Sequence, residues 1–118
     1  MEEPNFIIVP CADPLSHLWR AFPELRNKLD DGDSKPSYIY DRFADYLASH
    51  RDDDQLWQRC YAFFESLAVG GGSLQDILVV GLFEPLCENA VLAERLKNNL
   101  GPLARMLLDD MQSFGGRK

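Results

Sequence analysis

Between Leu56 and Ala68 the apolar residues Leu56, Trp57, Cys60, Tyr61, Phe63, Phe64, Leu67 and Ala68 recur at helical spacing. A stripe that wide cannot be covered by one neighbour, so the segment demands burial among several packed elements. The rest of the chain supplies them in the same idiom, and an all-α fold follows. With 118 residues there is mass for one modest core. The expectation is a compact single domain over residues 1–118, a bundle of five to six helices.

Punctuation residues predict where the helices lie. Asp13-Pro14 is a helix start, because Asp accepts from exposed amides and Pro at the first position has no amide to strand. Leu15, Leu18, Trp19 and Phe22 then share a face, and Pro23 interrupts or restarts the helix before Leu25 and Leu29. Residues 30–36 form a turn-rich loop. A helix from about Ser37 to His50 carries Ile39, Phe43, Tyr46 and Leu47 as its stripe. Asp52, Asp53 and Asp54 place negative charge where it suits the start of the next helix.

Gly70-Gly71-Gly72 stops the Leu56–Ala68 helix, and Ser73 is the predicted cap of a following one, from Leu74 to about Glu88, with Asp76 completing an approximate capping box. Ile77–Phe83 is apolar nearly all round, which suits a central helix; Val79 and Val80 also allow a short buried strand. Pro85 should kink or end that element. Val91–Asn99 and the segment carrying Leu103, Met106, Leu107 and Met111 complete the set, separated by Gly101-Pro102. Residues 1–12 are expected to form a short arm, extended at Phe6–Val9, and residues 113–118 a loose tail.

Charge is concentrated. From Asp30 to Asp54 there are eight aspartates against Lys35, Arg42 and Arg51, a formal −5 of the chain's −7. A pI near 4.7 with scattered Lys and Arg argues against nucleic acid and anionic membrane, both polyanions. An acidic surface without accompanying chemistry reads as a docking face for something basic, or as a solubility device. The longest apolar run, Ile77–Phe83, is far below the ~20 residues of a membrane span. The acidic N-terminal residues do not suit a secretory signal, and a cytoplasmic location is expected. Cys11, Cys60 and Cys87 suggest buried reduced thiols, not a disulfide framework.

Candidate chemistry is sparse, and no cofactor or metal is expected. His17 and His50 lack partners at ligand spacing and read as surface or cap histidines. A calcium loop ends in Glu at its twelfth position; from Asp52 that position is Phe63, and from Asp30 it is Asp41. Gly70–Ser73 lacks the lysine of a phosphate loop and reads as a hinge between helices. Nucleophile signatures are absent, although a triad assembled only in space stays open. Glu65 and Glu84 lie on apolar helices; each is a candidate buried general base or, preferably, a paired carboxylate between helices.

The succession Phe22-Pro23-Glu24-Leu25, Tyr40–Leu47, Phe63–Leu67, a glycine turn and Val79–Leu86 resembles a family of small uncharacterised bacterial helical proteins. These are similar in size and charge to the immunity proteins encoded beside polymorphic toxins. The resemblance spans roughly residues 22–86 and transfers no active site. It implies a non-enzymatic, inhibitor-like role in which an acidic surface meets a basic cognate toxin domain. Asp30, Asp31, Asp33, Asp41, Asp45, Asp52, Asp53 and Asp54 would form that surface, with Tyr38 or Tyr40 as aromatic anchors. Two other classes remain: a helical adaptor or homodimer using the apolar Leu74–Leu86 helix, and a small enzyme using Glu65 or Glu84.

Overall fold

The computed structural model describes residues 13–30, 32 and 35–115, with side chains to residue 112. Among the described residues there are seven helical segments and no strand. The seventh arises at Pro23, whose missing amide divides the first expected helix. Helix α1 (Pro14–Ala21) ends at Phe22, and α2 (residues 23–29) restarts as the 3-10 turn Pro23–Leu25 running into Arg26–Leu29. Asp13 caps α1 as its sequence predicts, accepting from the Leu15 amide at 3.2 Å. The arm expected over residues 1–12 lies outside the described residues.

Helix α3 (Pro36–Ser49) ends at a His50 cap, and α4 (Asp54–Gly70) begins where Asp53 accepts from the Leu56 amide at 3.1 Å. The α4 stripe is buried as expected, apart from Tyr61, which is half-exposed. Around it, Phe22, Phe43 and Phe63 meet at tilted or edge-on angles with centroids 5.3–6.1 Å apart, a favoured geometry for aromatic packing. These rings join α1, α3 and α4 into one core. Trp57 lies in the same core and donates its indole N–H to the His50 carbonyl at 3.3 Å. Cys60 and Cys87 are free thiols, Cys60 fully buried and Cys87 half-buried, whereas Cys11 falls outside the described residues.

Helix α5 (residues 72–86) departs from expectation at both ends. Its cap is Gly71, at φ +69°, and Ser73 caps nothing; the chain reverses through Gly71 and Gly72, both at positive φ, a region glycine enters without strain. Asp76 therefore completes no capping box. Farther along, Ile77–Phe83 is π-helical: the Glu84 amide reaches back to the Val79 carbonyl, five residues away. Pro85 supplies the reason. It has no amide for the Gly81 carbonyl, and its ring would press on that carbonyl in an α-helix; the wider turn relieves the clash. Beyond the π turn the helix resumes through Glu84–Leu86. The strand alternative is thereby overturned.

Helix α6 (Ala90–Asn99) is capped by Asn89, whose side chain accepts from the Val91 and Leu92 amides at 2.9 and 3.2 Å. Helix α7 (Pro102–Gly115) buries Ala104 and Leu108, leaving Leu103 and Met106 exposed. It runs through part of the expected tail; residues 116–118 lie outside the described residues. Among the described residues no helix is long and apolar enough to cross a membrane.

Candidate protein-binding surface

Helices α3 and α5 approach closely because Gly81 has no side chain. A β-carbon there would stand 3.2 Å from the Tyr40 Cβ and 3.3 Å from the Ile77 Cγ1, tighter than ordinary contact. Beside this crossing, the first turns of α3 and the π turn of α5 enclose an open groove of about 770 Å³. Its apolar lining comes from Tyr38, Ile77 and Val80 together with Pro36 and, from α1, Pro14, and Asp41 and Asp76 line it from opposite helices. Tyr38 is 50% exposed and Val80 62%, so two large apolar side chains lining one depression stand largely in water. The Ile77–Phe83 stretch is therefore not buried on every side, despite its apolar sequence.

The expected acidic face divides into surface charge and structural charge. Asp41 and Asp45 stand exposed one turn apart on α3, on the flank that carries Tyr38. Among the described residues neither makes an ion pair or hydrogen bond, and the same is true of Asp52 and Asp76. By contrast, Asp53 is committed to the α4 cap, Asp54 lies 3.9 Å from the Arg95 guanidinium, and Asp30 lies 3.8 Å from Arg26. Asp30 also accepts from the Gly32 amide at 2.8 Å. Asp31 and Asp33 lie outside the described residues.

Of the two tyrosine anchors, one is withdrawn. Tyr40 is 0% exposed, and its hydroxyl donates to the Pro14 carbonyl at 2.9 Å, tying α3 to the start of α1. Burial raises its pKa, with the Asp13 charge adding to the effect. A signal for this existed in the sequence: Tyr40, Phe43, Ala44 and Leu47 form a helical stripe of their own. Tyr38 keeps its place on the surface, where the Arg42 guanidinium lies 5.5 Å over its ring. Asp76, expected in a capping box, and Val80, within an apolar run, carry no sign of this surface in the sequence; the fold brings both to the groove.

The two histidines separate in role. His50 is the α3 cap and stacks on Tyr46 with centroids 4.0 Å apart, in keeping with its sequence reading. His17 is not a surface group: it lies half-buried between α1 and α4, stacked on Phe63, its Nε2 2.8 Å from Ser66 Oγ. The Ser66 hydroxyl donates to the Phe63 carbonyl at 2.6 Å, so its lone pair receives the imidazole N–H. That network puts the ring proton on Nε2 and leaves Nδ1 bare, buried and without a hydrogen-bond partner among the described residues. Burial first, and the Arg20 charge second, hold the His17 pKa below its ordinary value. With its proton committed to the backbone, Ser66 is a helix–helix contact in this arrangement, not an activated nucleophile.

The candidate catalytic carboxylates are similarly placed. Glu84 is exposed. Glu65 is half-buried, and both its oxygens are engaged: Oε2 accepts from the Leu103 amide at 3.1 Å and Oε1 from the Ala104 amide at 2.9 Å. Glu65 is thus a paired carboxylate between helices, and its partners are the otherwise unpaired amides at the start of α7. Among the described residues no group of three His, Cys, Asp or Glu side chains converges in a metal-ligating arrangement. No family model, curated protein or solved structure matches this chain.

Proposed function

We propose that this protein is an immunity-type inhibitor, binding and neutralising a basic cognate toxin domain in the cytoplasm. The observation that supports the reading is the outer flank of α3, where Tyr38, Asp41 and Asp45 are exposed and the two carboxylates are unpaired among the described residues. Charge of this kind steers a basic partner and fixes its orientation, while an aromatic side chain supplies contact area at low entropic cost. Asp52 extends the same charge to the α3–α4 turn. The role is one of binding and needs no chemistry from this chain.

A second reading, a helical adaptor or homodimer, draws on α7, where Met106 is 61% exposed beside Leu103. Concentration-dependent mass by light scattering separates it from a monomeric inhibitor. The decisive experiment for the first reading is co-expression with the product of the adjacent upstream gene, followed by pull-down at low and high salt. Salt-sensitive capture and loss of that product's toxicity are expected. Capture and protection that survive the Asp41→Lys, Asp45→Lys, Asp52→Lys variant unchanged would overturn the acidic-face assignment. Those positions test it without breaking the Asp53 cap.

A further inference from the structure

We infer that the α3–α5 groove receives one amphipathic helix of the partner, with its apolar side chains against Tyr38, Ile77 and Val80 and its flanking Lys or Arg residues toward Asp41 and Asp76. The inference rests on the reading above that the partner is a basic protein, and it names the element of that partner which docks.

Three features choose the occupant. The first is the contrast between floor and rim. Tyr38 and Val80 remain half or more exposed in an otherwise well-filled core structure, so an apolar ligand gains burial there that the chain itself does not provide. The second is charge: Asp41 and Asp76 line the groove from opposite helices, each without an ion pair among the described residues, so cations on both flanks of an apolar stripe find partners. Arg42 already covers one face of the Tyr38 ring, which directs the ligand to the remaining face and edge. The third is the backbone. Both walls are helical, and no strand edge is available among the described residues to pair with an extended peptide. A groove between two helices takes a helix by its side chains.

The π turn makes this surface and does not merely adjoin it. Ile77, Val80 and Gly81 all belong to the π-helical stretch, and such bulges recur at functional sites. Gly81 allows the close crossing at Tyr40, while Val80 projects into solvent from the same turn.

The test is an amide NMR titration of the full chain with a synthetic helical peptide whose leucines fall at i, i+3, i+4 and i+7 and whose flanks are lysine. Saturable shifts at Tyr38, Ile77, Val80 and Gly81 are expected. Val80→Ser should weaken binding about tenfold, the scale of losing a central interface contact, with thermal unfolding unchanged because the residue is exposed. Asp41→Asn with Asp76→Asn should weaken binding and flatten its salt dependence.

Shifts confined to Asp45 and Asp52, with a silent groove, would overturn the docking site while leaving the acidic-face reading intact. Equal binding of the same peptide with glutamate flanks would overturn the basic occupant. Absence of any shift would overturn the groove as a helix receptor, whereas failure of the toxin reading shows separately as loss of capture and protection. Groove shifts that depend on chain concentration alone would assign the site to a second copy. Changes there caused by Ile7→Ser with Ile8→Ser, without peptide, would assign it to the chain's own residues 1–12; either outcome overturns the inference.

Discussion

Glu65 on α4 caps a helix that begins 37 residues later: its carboxylate receives the amides of Leu103 and Ala104 on α7, 38 and 39 positions away in the chain. Gly101 makes the approach possible, since a β-carbon there would stand 2.7 Å from Glu65 Oε1. A helix end and the middle of another helix are thus joined by one side chain, with Asp-like capping chemistry supplied from a distance.

Glu65→Ala should therefore destabilise the fold by about 1–2 kcal/mol, the usual scale for losing a helix cap. Glu65→Gln, with one acceptor oxygen and no charge, should fall between. Urea unfolding measures both. Gly101→Ala should lose stability too, and the pair should be non-additive: in a Glu65→Ala background the added methyl no longer meets the carboxylate. Full additivity would show that the contact is not what glycine preserves.

The Gly81–Tyr40 crossing makes a second prediction. Alanine ordinarily stabilises a helix over glycine by about 1 kcal/mol, but here its methyl meets a Cβ fixed to the α3 backbone. Overpacking costs about 1–3 kcal/mol, so Gly81→Ala should be net destabilising by chemical denaturation. Tyr40→Phe keeps the ring and loses only the hydroxyl bond to Pro14, for about 1 kcal/mol. A gain of stability in Gly81→Ala would contradict the close crossing.

Acid should weaken the fold through His17. Its pKa is depressed in the folded state, so the unfolded chain takes up the proton first as pH falls. The contribution is complete above the ordinary value near 6.5, declines below it, and levels off once pH passes the folded value. His17→Gln should flatten unfolding free energy against pH below the ordinary value near 6.5 relative to the parent chain. An unchanged slope would locate the titrating group elsewhere.

The aspartates should sort by stability. Asp53→Ala should cost about 1 kcal/mol as a lost cap, while Asp41→Ala and Asp45→Ala, exposed and unpaired among the described residues, should stay within about 0.5 kcal/mol of the parent. Thermal unfolding of the three single variants checks the division.

Much of the helical layout was legible because its punctuation is chemical and local. Asp13, Asp53 and Pro23 act within a few residues of themselves, and the α4 stripe repeats often enough to leave no other reading. Glu65 and His17 were opaque for the opposite reason: their partners, at α7 and at Ser66, are brought near only by the fold. Tyr38 and Tyr40 show the middle case. Both are aromatic and two residues apart, but only the second shares a stripe with Phe43, Ala44 and Leu47. Pro85 announced a disturbance without its form, since a kink, a stop and a π turn all relieve a missing amide.

That π turn also works as a phase shift. A helix winding without interruption presents its stripe along a steadily drifting line, whereas the wider turn inserts a step in rotation between the start and end of α5. Residues before it pack on α4, those within it on α3 most extensively and on α4 and α7 as well, and those after it again on α3. One short rod thereby serves neighbours on different sides without bending its sequence to a single repeat. Wound as an ordinary α-helix of the same length, the 77–83 stretch would carry everything beyond it, Leu86 included, round toward the wrong neighbour.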